Sequence, residues 1–271
     1  MIRGMERAVV LWAVVTLAAP AAASGQEPKT GFLERSVRSG EASHAYKVYV
    51  PPGFDAGRAW PVILFLHGAG ERGTDGVQHT GVGLGRALRE EPGRFPAVVV
   101  FPQAPPGGVW MGDLARLAQA ALDQTMAEFR GDPDRVYLAG LSMGAYGAWV
   151  MAFEDPGRYA AIVSVAGGIV PPSGRRARLA QLPPTLQADD PYAATAARVK
   201  AIPSWLFHGA GDPTVPVTES RQLAAALKQA GASVRYTEYE GAGHNVWDRS
   251  FSEPELPAWL FAQRRGAKGT R

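Results

Sequence analysis

The sequence predicts an α/β fold, with a mostly parallel central sheet and helices packed on both of its faces. Three observations predict it. Short apolar runs bounded by turn residues, typical of fully buried strands, alternate along the chain with segments of helical periodicity. The length of 271 residues and the hydrophobic content of 46% suit one large domain with a sizeable core. We find no internal repeats and expect no second domain.

Strands are predicted wherever a short apolar or β-branched run is closed by Gly or Pro. Residues 45–50 alternate between polar and apolar side chains and predict an edge strand, which Pro51-Pro52-Gly53 closes. Parallel sheets bind ligands beyond the carboxyl ends of their strands, so the residues directly after each strand are candidates for function. Apolar or β-branched runs predict buried strands at 62–66, 97–101, 136–139 and 161–165, and two further strands are predicted at 202–207 and 234–239.

Helices are predicted between these strands. Asp113 is a candidate N-cap for a helix with one apolar face, which ends at Gly131. Three further helices are expected directly after residue 142, from Thr218 to Gly231, and over 254–264. Residues 169–200 are rich in Pro, Arg and Ala, have weak periodicity and are longer than an ordinary connection. They predict a rim or cap insertion beside the site.

Composition excludes several classes of function. The formal net charge is only +3, and no basic stripe with interleaved aromatic residues is present, so we expect no nucleic-acid partner. The chain has no cysteine, which excludes disulfides, thiolate catalysis and cysteine metal sites. Its five histidines have no metal-binding spacing, so neither a metal nor a cofactor is expected.

Residues 1–25 have the pattern of a signal peptide. Arg3 and Arg7 form a positive first region, residues 8–19 are apolar, and Ala21-Ala22-Ala23 is a small-residue cleavage site. The apolar run is too short to anchor the chain in a bilayer, so we expect no membrane partner. The sequence therefore predicts a secreted or periplasmic protein whose mature part, 26–271, is one catalytic domain.

The segment VYLAGLSMGAYGAWVM joins a predicted strand to a predicted helix through the pentapeptide Gly140-Leu141-Ser142-Met143-Gly144. Strand, G-x-S-x-G and helix in this order are typical of a nucleophile elbow, which raises a serine above the sheet on a strained turn. The two glycines leave room where strand and helix approach most closely. The alternative is an ordinary glycine-rich turn, but the flanking strand and helix favour Ser142 as a nucleophile.

Two later strands end near residues that could activate this serine. Asp212 follows the strand at 202–207, and His244 follows the last strand. Imidazole can accept the serine proton near neutral pH, and a carboxylate orients the imidazole and stabilises its charged form. Taken singly, Asp212 could have no role beyond initiating a turn, and His244 could be an exposed residue without a catalytic role. Other acids are less well placed in the chain order: Asp189, Asp190, Glu238 and Glu240.

Backbone N–H groups near the serine are candidates for an oxyanion hole. The loop after the strand at 62–66 supplies one donor, for which Ala69 is the first choice and Gly70 the second, and Met143 supplies the other. His67 and His208 are interpreted as structural hydrogen-bonding residues, since His244 already fills the place of the base.

Two tryptophans are candidates for binding substrate. Trp110 follows the strand at 97–101, and Trp247 comes three residues after His244, so both are expected near the carboxyl edge of the sheet. The alternative is that both are packing aromatics of the core.

The chain at this point resembles a known family. The segments LHGAGERG, FPQ, DPDRVYLAGLSMGAYGAW, WLFHGAGDPTVPV, TEYEGAGHNVWD and PELPAWLF look like those of secreted bacterial α/β-hydrolase carboxylesterases. The nearest relatives are esterases grouped with predicted peptidases of prolyl-oligopeptidase type, feruloyl esterases and polyhydroxybutyrate depolymerases. The resemblance covers residues 45–264 and implies an α/β-hydrolase fold. The segment 169–200 is longer than in that group, and no propeller precedes the hydrolase region, which weakens the peptidase interpretation.

The expected activity is that of a serine carboxylic-ester hydrolase working through a Ser-Asp-His triad and an acyl-enzyme. Its expected partner is a small-molecule or polysaccharide-linked ester with a short-chain or arylacyl group, such as feruloyl. Three alternatives stay open: a serine peptidase of prolyl-oligopeptidase type, a polyhydroxyalkanoate depolymerase, and a non-catalytic binding protein with a hydrolase fold.

Overall fold

A computed structural model describes residues 29–40, 42–171 and 188–266. The expected signal peptide, residues 1–25, and the middle of the expected insertion lie outside these described residues. The strands are β1 (Gly31–Ser39), β2 (Ala42–Val50), β3 (Trp60–Leu66), β4 (Val98–Pro102), β5 (Gly131–Leu141), β6 (Ala161–Val165), β7 (Ser204–Gly209) and β8 (Val234–Tyr239). The helices are α1 (Leu84–Glu90), α2 (Gly112–Glu128), α3 (Met143–Glu154), α4 (Pro191–Val199), α5 (Thr218–Gln229), α6 (Trp247–Phe251) and α7 (Leu256–Ala262), with 3-10 turns at Ala69–Glu71 and Gln78–Thr80.

The eight strands form one sheet in the order β1-β2-β4-β3-β5-β6-β7-β8. Only β2 runs antiparallel to its neighbours β1 and β4, and the remaining pairs are parallel. The parallel strands connect through helices, which places their carboxyl ends along one edge. The mostly parallel sheet predicted by the sequence is confirmed.

Alternate side chains of the central strands build a core on each face of this sheet. Val62, Leu64 and Leu66 of β3 pack with α2, α3, α4 and α5, whereas Ile63 and Phe65 pack with α1, α6 and α7. Helices on both faces are therefore confirmed. Among the described residues, no helix combines the length and the apolar character needed to cross a bilayer.

Several element predictions were wrong in detail. The strand predicted at the edge, β2, lies inside the sheet, because β1 pairs with it along its whole length and forms the edge. β1 was missed since its polar residues hide the alternation of a half-exposed strand. Met111 rather than Asp113 is the N-cap of α2, and Gly131 begins β5 instead of ending the helix. The short helices α1 and α6 were also missed.

The predicted insertion contains one ordered element among its described residues. Helix α4 begins after Asp190, whose Oδ1 accepts a hydrogen bond from the Ala193 N–H at 2.9 Å. Pro191 occupies the first helical position, where its missing N–H costs nothing. Periodicity failed to reveal α4 because only one narrow side of this short helix is buried.

We expect Gly144→Ala to destabilise the fold strongly. A Cβ at Gly144 would lie 1.9 Å from the backbone oxygen of Leu66, and no side-chain rotation relieves a clash with backbone. The free energy of unfolding, measured by chemical denaturation, should fall by about 3 kcal/mol or more. Gly93→Ala is the matched control, because nothing lies within 4 Å of its added Cβ. Equal stability of the two variants would contradict the close approach of α3 to β3.

Candidate active site

Ser142 lies on the sharp turn between β5 and α3. Its backbone adopts φ 49° and ψ −117°, a conformation that costs a non-glycine residue about 1–3 kcal/mol. The turn is held by the sheet, since the Ser142 N–H donates to the Val165 carbonyl of β6 at 2.8 Å. The Ser142 side chain points into the site and reaches His244. This arrangement has the strand, sharp turn and helix that the G-x-S-x-G pattern predicts.

His244 lies in the loop after β8, where its ring joins the serine to an acid. Its Nε2 is 2.9 Å from Ser142 Oγ, and its Nδ1 is 2.6 Å from Asp212 Oδ2. Because a carboxylate only accepts hydrogen bonds, Nδ1 carries the proton and Nε2 is free to accept one from the serine. Trp247 packs edge-on against the imidazole with ring centroids 5.4 Å apart.

Asp212, directly beyond β7, is held as an ionised carboxylate. Oδ1 accepts the N–H groups of Thr214 at 2.8 Å and Val215 at 2.9 Å, and His208 Nε2 lies 3.2 Å from Oδ2. Burial alone would raise the pKa of Asp212, but the hydrogen bonds from His208, His244 and the two N–H groups together hold it well below its ordinary value. The acid is therefore charged at neutral pH.

The other four acids considered from the sequence either have partners away from the serine or are exposed. Glu238 pairs with Arg221 at 2.6 Å and accepts the Tyr236 hydroxyl at 2.6 Å. Asp190 caps α4, and Asp189 and Glu240 are exposed. The structure thus brings Asp212, and none of these four, to the base.

The loop after β3 passes beside Ser142, since a Cβ built on Gly68 would lie 3.5 Å from the Ser142 Cβ. His67 Nε2 accepts the Ala104 N–H at 2.9 Å, so its Nδ1 carries a proton and donates to the Gly68 carbonyl at 2.6 Å. The peptide that joins Gly68 to Ala69 is trans, so the Ala69 N–H points away from His67. Met143 stays the candidate for the second donor, because it is the first residue of α3 and its N–H has no partner within the helix.

Gly70, the second choice for the donor, lies in the middle of the 3-10 turn Ala69–Glu71. The 3-10 turn begins after Gly68, and Ala69 is its first residue, so the peptide held by His67 is the one that presents the Ala69 N–H. The geometry therefore favours Ala69 and Met143 as the pair of oxyanion donors.

Trp110 does not line the cleft. Its side chain is only 1% exposed, and its Nε1 donates to the His67 carbonyl at 2.9 Å. Its ring also contacts the His67 imidazole, with centroids 5.0 Å apart. The loop after β4 turns into the core here, because the large indole is more stable buried against α3 than exposed at the edge. Trp247 is half-buried, and its contact with substrate stays a prediction.

Two buried histidines contact each other beside the loop after β3. His67 and His79 are both 0% exposed, and their rings meet edge-on at 5.9 Å. Burial lowers the pKa of each to about 4, so both are neutral at physiological pH. His79 Nε2 lies 3.0 Å from the Phe101 carbonyl. The structural interpretation of His67 fits this environment, whereas His79 was missed because it follows a polar, glycine-rich segment.

Glu219 ties together the two described ends of the predicted insertion, which sequence reasoning also missed. Its Oε2 accepts the N–H groups of Ile169 at 2.9 Å and Val170 at 3.0 Å. Its Oε1 accepts the Tyr192 hydroxyl at 2.7 Å. Residues 167–170 pack against the elbow, since a Cβ at Gly167 would lie 2.3 Å from that of Ala145.

In the described part of the chain, no group of three His, Asp or Glu side chains could hold a metal ion.

Comparison with known proteins identifies the family and the fold. A model of the Esterase family matches residues 39–260. The protein belongs to the Esterase family. This esterase-family chain has the α/β-hydrolase fold, since a thermostable esterase of known structure superposes on it with a TM-score of 0.70 and 30% sequence identity. That superposition covers 86% of this chain and 63% of the other.

Two relatives are similar in sequence. The chain is 28% identical over 248 residues to "Probable isoprenylcysteine alpha-carbonyl methylesterase ICMEL1" of Oryza sativa subsp. japonica, covering 78% of this chain and 56% of that protein. It is 27% identical over 231 residues to a poly(3-hydroxyoctanoate) depolymerase of Pseudomonas fluorescens, covering 78% and 77%. The chain thus spans less than two thirds of both the rice protein and the thermostable esterase.

We expect Asp212→Asn to lower kcat/KM by orders of magnitude while leaving the fold intact. The amide can present an N–H group to the imidazole, which favours the wrong tautomer and leaves the charged ring without its counter-ion. Glu238→Gln is the matched control, because it removes a carboxylate that pairs with Arg221 outside the site. Ester hydrolysis by both variants decides between the acids, and an inactive Glu238→Gln beside an active Asp212→Asn would contradict the assignment.

We expect the free energy of unfolding to decrease as the pH falls from about 6.5 towards 4. The unfolded chain binds protons on His67 and His79 near pH 6.5, whereas burial keeps the folded residues neutral down to a pKa of about 4. The free energy of unfolding keeps its full value above about pH 6.5, the pKa of histidine in the unfolded chain. Below that pH each of the two histidines lowers it, by up to about 3 kcal/mol. Denaturation curves at several pH values measure it.

The control for this pH dependence is His79→Gln, which keeps a donor for the Phe101 carbonyl without a group that titrates in this range. It should take up about one proton fewer on unfolding between pH 6.5 and 4. An unchanged pH dependence would contradict the neutral, buried state of His79.

Proposed function

We propose that this protein is a serine carboxylic-ester hydrolase that works through an acyl-enzyme on short-chain or arylacyl esters. The observation that carries the proposal is the continuous hydrogen-bonded path from Ser142 Oγ through His244 to Asp212, with distances of 2.9 and 2.6 Å. Family membership and the similarity to an esterase over most of this chain support it. A non-catalytic hydrolase fold would not need all three groups in this alignment.

Acylation begins when Ser142 Oγ attacks the ester carbonyl carbon and its proton passes to His244 Nε2. The carbonyl oxygen becomes an oxyanion that accepts the N–H groups of Ala69 and Met143. His244 then gives its proton to the departing alkoxide as the carbon–oxygen bond breaks. An acyl group remains on Ser142, and the free alcohol leaves.

Deacylation repeats the same steps with water as the nucleophile. Water attacks the acyl carbon while His244 Nε2 takes a proton from it. His244 then gives that proton to Ser142 Oγ as the carboxylic acid product departs. Asp212 stabilises the positively charged imidazole in both halves, since its own pKa is held low.

Esters are favoured over amides by the chemistry of the leaving group. An alkoxide or phenolate departs readily from the tetrahedral intermediate, whereas an amine departs only after His244 has protonated it. Peptides also need an extended set of main-chain contacts to hold them in register. A peptidase would therefore need main-chain contacts for the peptide in addition to the triad on which the proposal rests.

A second candidate is the hydrolysis of hydroxyalkanoate polyesters. The relative from Pseudomonas fluorescens, named a poly(3-hydroxyoctanoate) depolymerase, matches 78% of this chain and 77% of its own length. The bond cleaved would be an ester in both cases, so the same triad would serve. The two candidates differ in what binds beside Ser142, and a polymer substrate separates them.

We expect p-nitrophenyl butyrate and methyl ferulate to be cleaved with kcat/KM values orders of magnitude above those of alanine and proline p-nitroanilides. All substrates are compared at neutral pH, together with an emulsion of poly(3-hydroxyoctanoate). Ser142→Ala is the control and should lose about three or more orders of magnitude in ester hydrolysis with an unchanged circular dichroism spectrum. An anilide that matches the esters would replace the esterase proposal with the peptidase.

A further inference from the structure

Trp247 packs against the imidazole of the proposed base, His244. The two rings meet edge to face, with centroids 5.4 Å apart and planes at 85°. Hydrogen bonds to Ser142 Oγ and Asp212 Oδ2 hold both nitrogens of that imidazole, so the indole lies at a fixed place relative to Nε2. Trp247 is only half-buried, although it packs on the core below. Part of a large apolar side chain therefore stays open to solvent beside the base.

The backbone around Trp247 is held in place. The Val246 N–H donates to the His244 carbonyl at 3.0 Å, which makes the connection from the base to α6 a tight turn. The next residue, Asp248, binds the segment before α1, since its Oδ1 accepts the Gly83 N–H at 2.7 Å. A surface that is fixed from both sides loses little conformational entropy when a ligand packs on it.

Gly83 joins this segment to the strand that carries the nucleophile. Its backbone adopts φ 56° and ψ −124°, a conformation that favours glycine. A Cβ built on Gly83 would lie 3.0 Å from Leu141 Cδ2 and 3.3 Å from Phe251 Cδ2. Leu141 directly precedes Ser142, and Phe251 is the last residue of α6. The helix that begins with Trp247 is therefore packed beside the end of β5.

A side chain that contacts the base lies on the leaving-group side of an ester. In the proposed acylation His244 Nε2 gives its proton to the departing alkoxide, so the alkoxide oxygen comes within about 2.6–3.2 Å of Nε2. The carbon atoms bonded to that oxygen then lie beside the imidazole, within reach of an aromatic ring that contacts it. The acyl group, by contrast, stays bonded to Ser142.

We propose that Trp247 is a specificity-determining residue that binds the alcohol part of the ester and favours aromatic alcohols over short alkyl ones. This inference rests on the proposed ester hydrolysis. An aromatic alcohol such as benzyl packs on the open part of the indole, and both rings lose apolar surface to water. A methyl or ethyl group is too small to cover it. The acyl-enzyme no longer holds the alcohol, so Trp247 discriminates in acylation only.

The test compares esters that share one acyl group and differ in the alcohol, namely benzyl butyrate and ethyl butyrate. The native protein should prefer the benzyl ester, and Trp247→Ala should lower the benzyl-to-ethyl ratio of kcat/KM about tenfold. Trp247→Phe keeps an apolar ring and should hold that ratio within about threefold of native. Trp247→Gln fills part of the space without a ring and should behave as Ala does, so the series does not depend on one variant folding.

Two controls separate this role from a merely structural one. The ratio between methyl butyrate and methyl ferulate, which differ in the acyl group, should change less than about twofold in every variant. Phe261→Ala truncates another half-buried ring on the same core, packed against Tyr137, and should leave both ratios at native values. Unfolded molecules cleave neither ester, so a ratio reports only the folded ones.

Three results would overturn the proposal. If the indole only held the imidazole in place, Trp247→Ala would lower kcat/KM for all esters by one factor, and both ratios would stay unchanged. An acyl ratio that changes as much as the alcohol ratio would place Trp247 elsewhere in the site. A native protein that prefers the ethyl ester would contradict an aromatic alcohol subsite.

A second readout does not depend on turnover. Two phosphonates with the same phosphonyl group react with Ser142: a bond forms from Oγ to phosphorus, the serine proton passes to His244, and either fluoride or p-nitrophenolate leaves. Only the second leaving group has a ring, so Trp247→Ala should slow labelling by the p-nitrophenyl reagent about tenfold relative to the fluoride reagent.

The labelling result also separates the two proposals. A native protein that both reagents label but that cleaves no ester would defeat the proposed function, while the ratio of labelling rates would still decide the role of Trp247. An unchanged ratio in Trp247→Ala and Trp247→Gln would overturn that role alone. A native protein that neither reagent labels and that cleaves no ester would overturn both.

Discussion

The active site depends on how closely α3 crosses the ends of β3 and β5. At Gly144 the helix lies against the backbone of β3, where an added Cβ would be 1.9 Å from the Leu66 oxygen. At Gly140 an added Cβ would be 2.3 Å from the Gly144 oxygen. This crossing places the first turn of α3 against the end of β3 and the start of the loop that leaves it, since the Gly144 Cβ position also lies 2.8 Å from the His67 oxygen.

The histidines differ in role because their surroundings differ. His244 is partly exposed and bridges Ser142 and Asp212, which is the position that the proposed base requires. His67 and His79 are buried and neutral, with pKa values near 4, and serve as fixed hydrogen-bonding groups. His208 is also buried and lies between Asp212 and Ser220, where it holds the acid in place. Solvent access and hydrogen-bond partners, rather than residue type, therefore distinguish the proposed base, His244, from the three buried histidines.

Two buried carboxylates lie on either side of Ser142, and one of them holds a loop. Glu219 accepts two backbone N–H groups from the loop after β6 and the hydroxyl of Tyr192 in α4. Glu71 lies over the loop after β3, next to Gly68. Loops carry the functional groups of this fold, and loops are its least rigid parts. Buried carboxylates that bind backbone N–H groups give such loops the fixed geometry that oxyanion stabilisation requires.

Sequence by itself determined the alternation of strands and helices and the location of Ser142, Asp212 and His244 after three strands. That information is local, because apolar periodicity and turn residues report which segments are buried, and the carboxyl ends of parallel strands share one edge. Only the tertiary structure decided that β1 covers the edge of the sheet, that Trp110 is buried, and that Glu71 faces inward. Each of these depends on contacts between segments far apart in the chain, and such contacts leave no periodic signal in either segment.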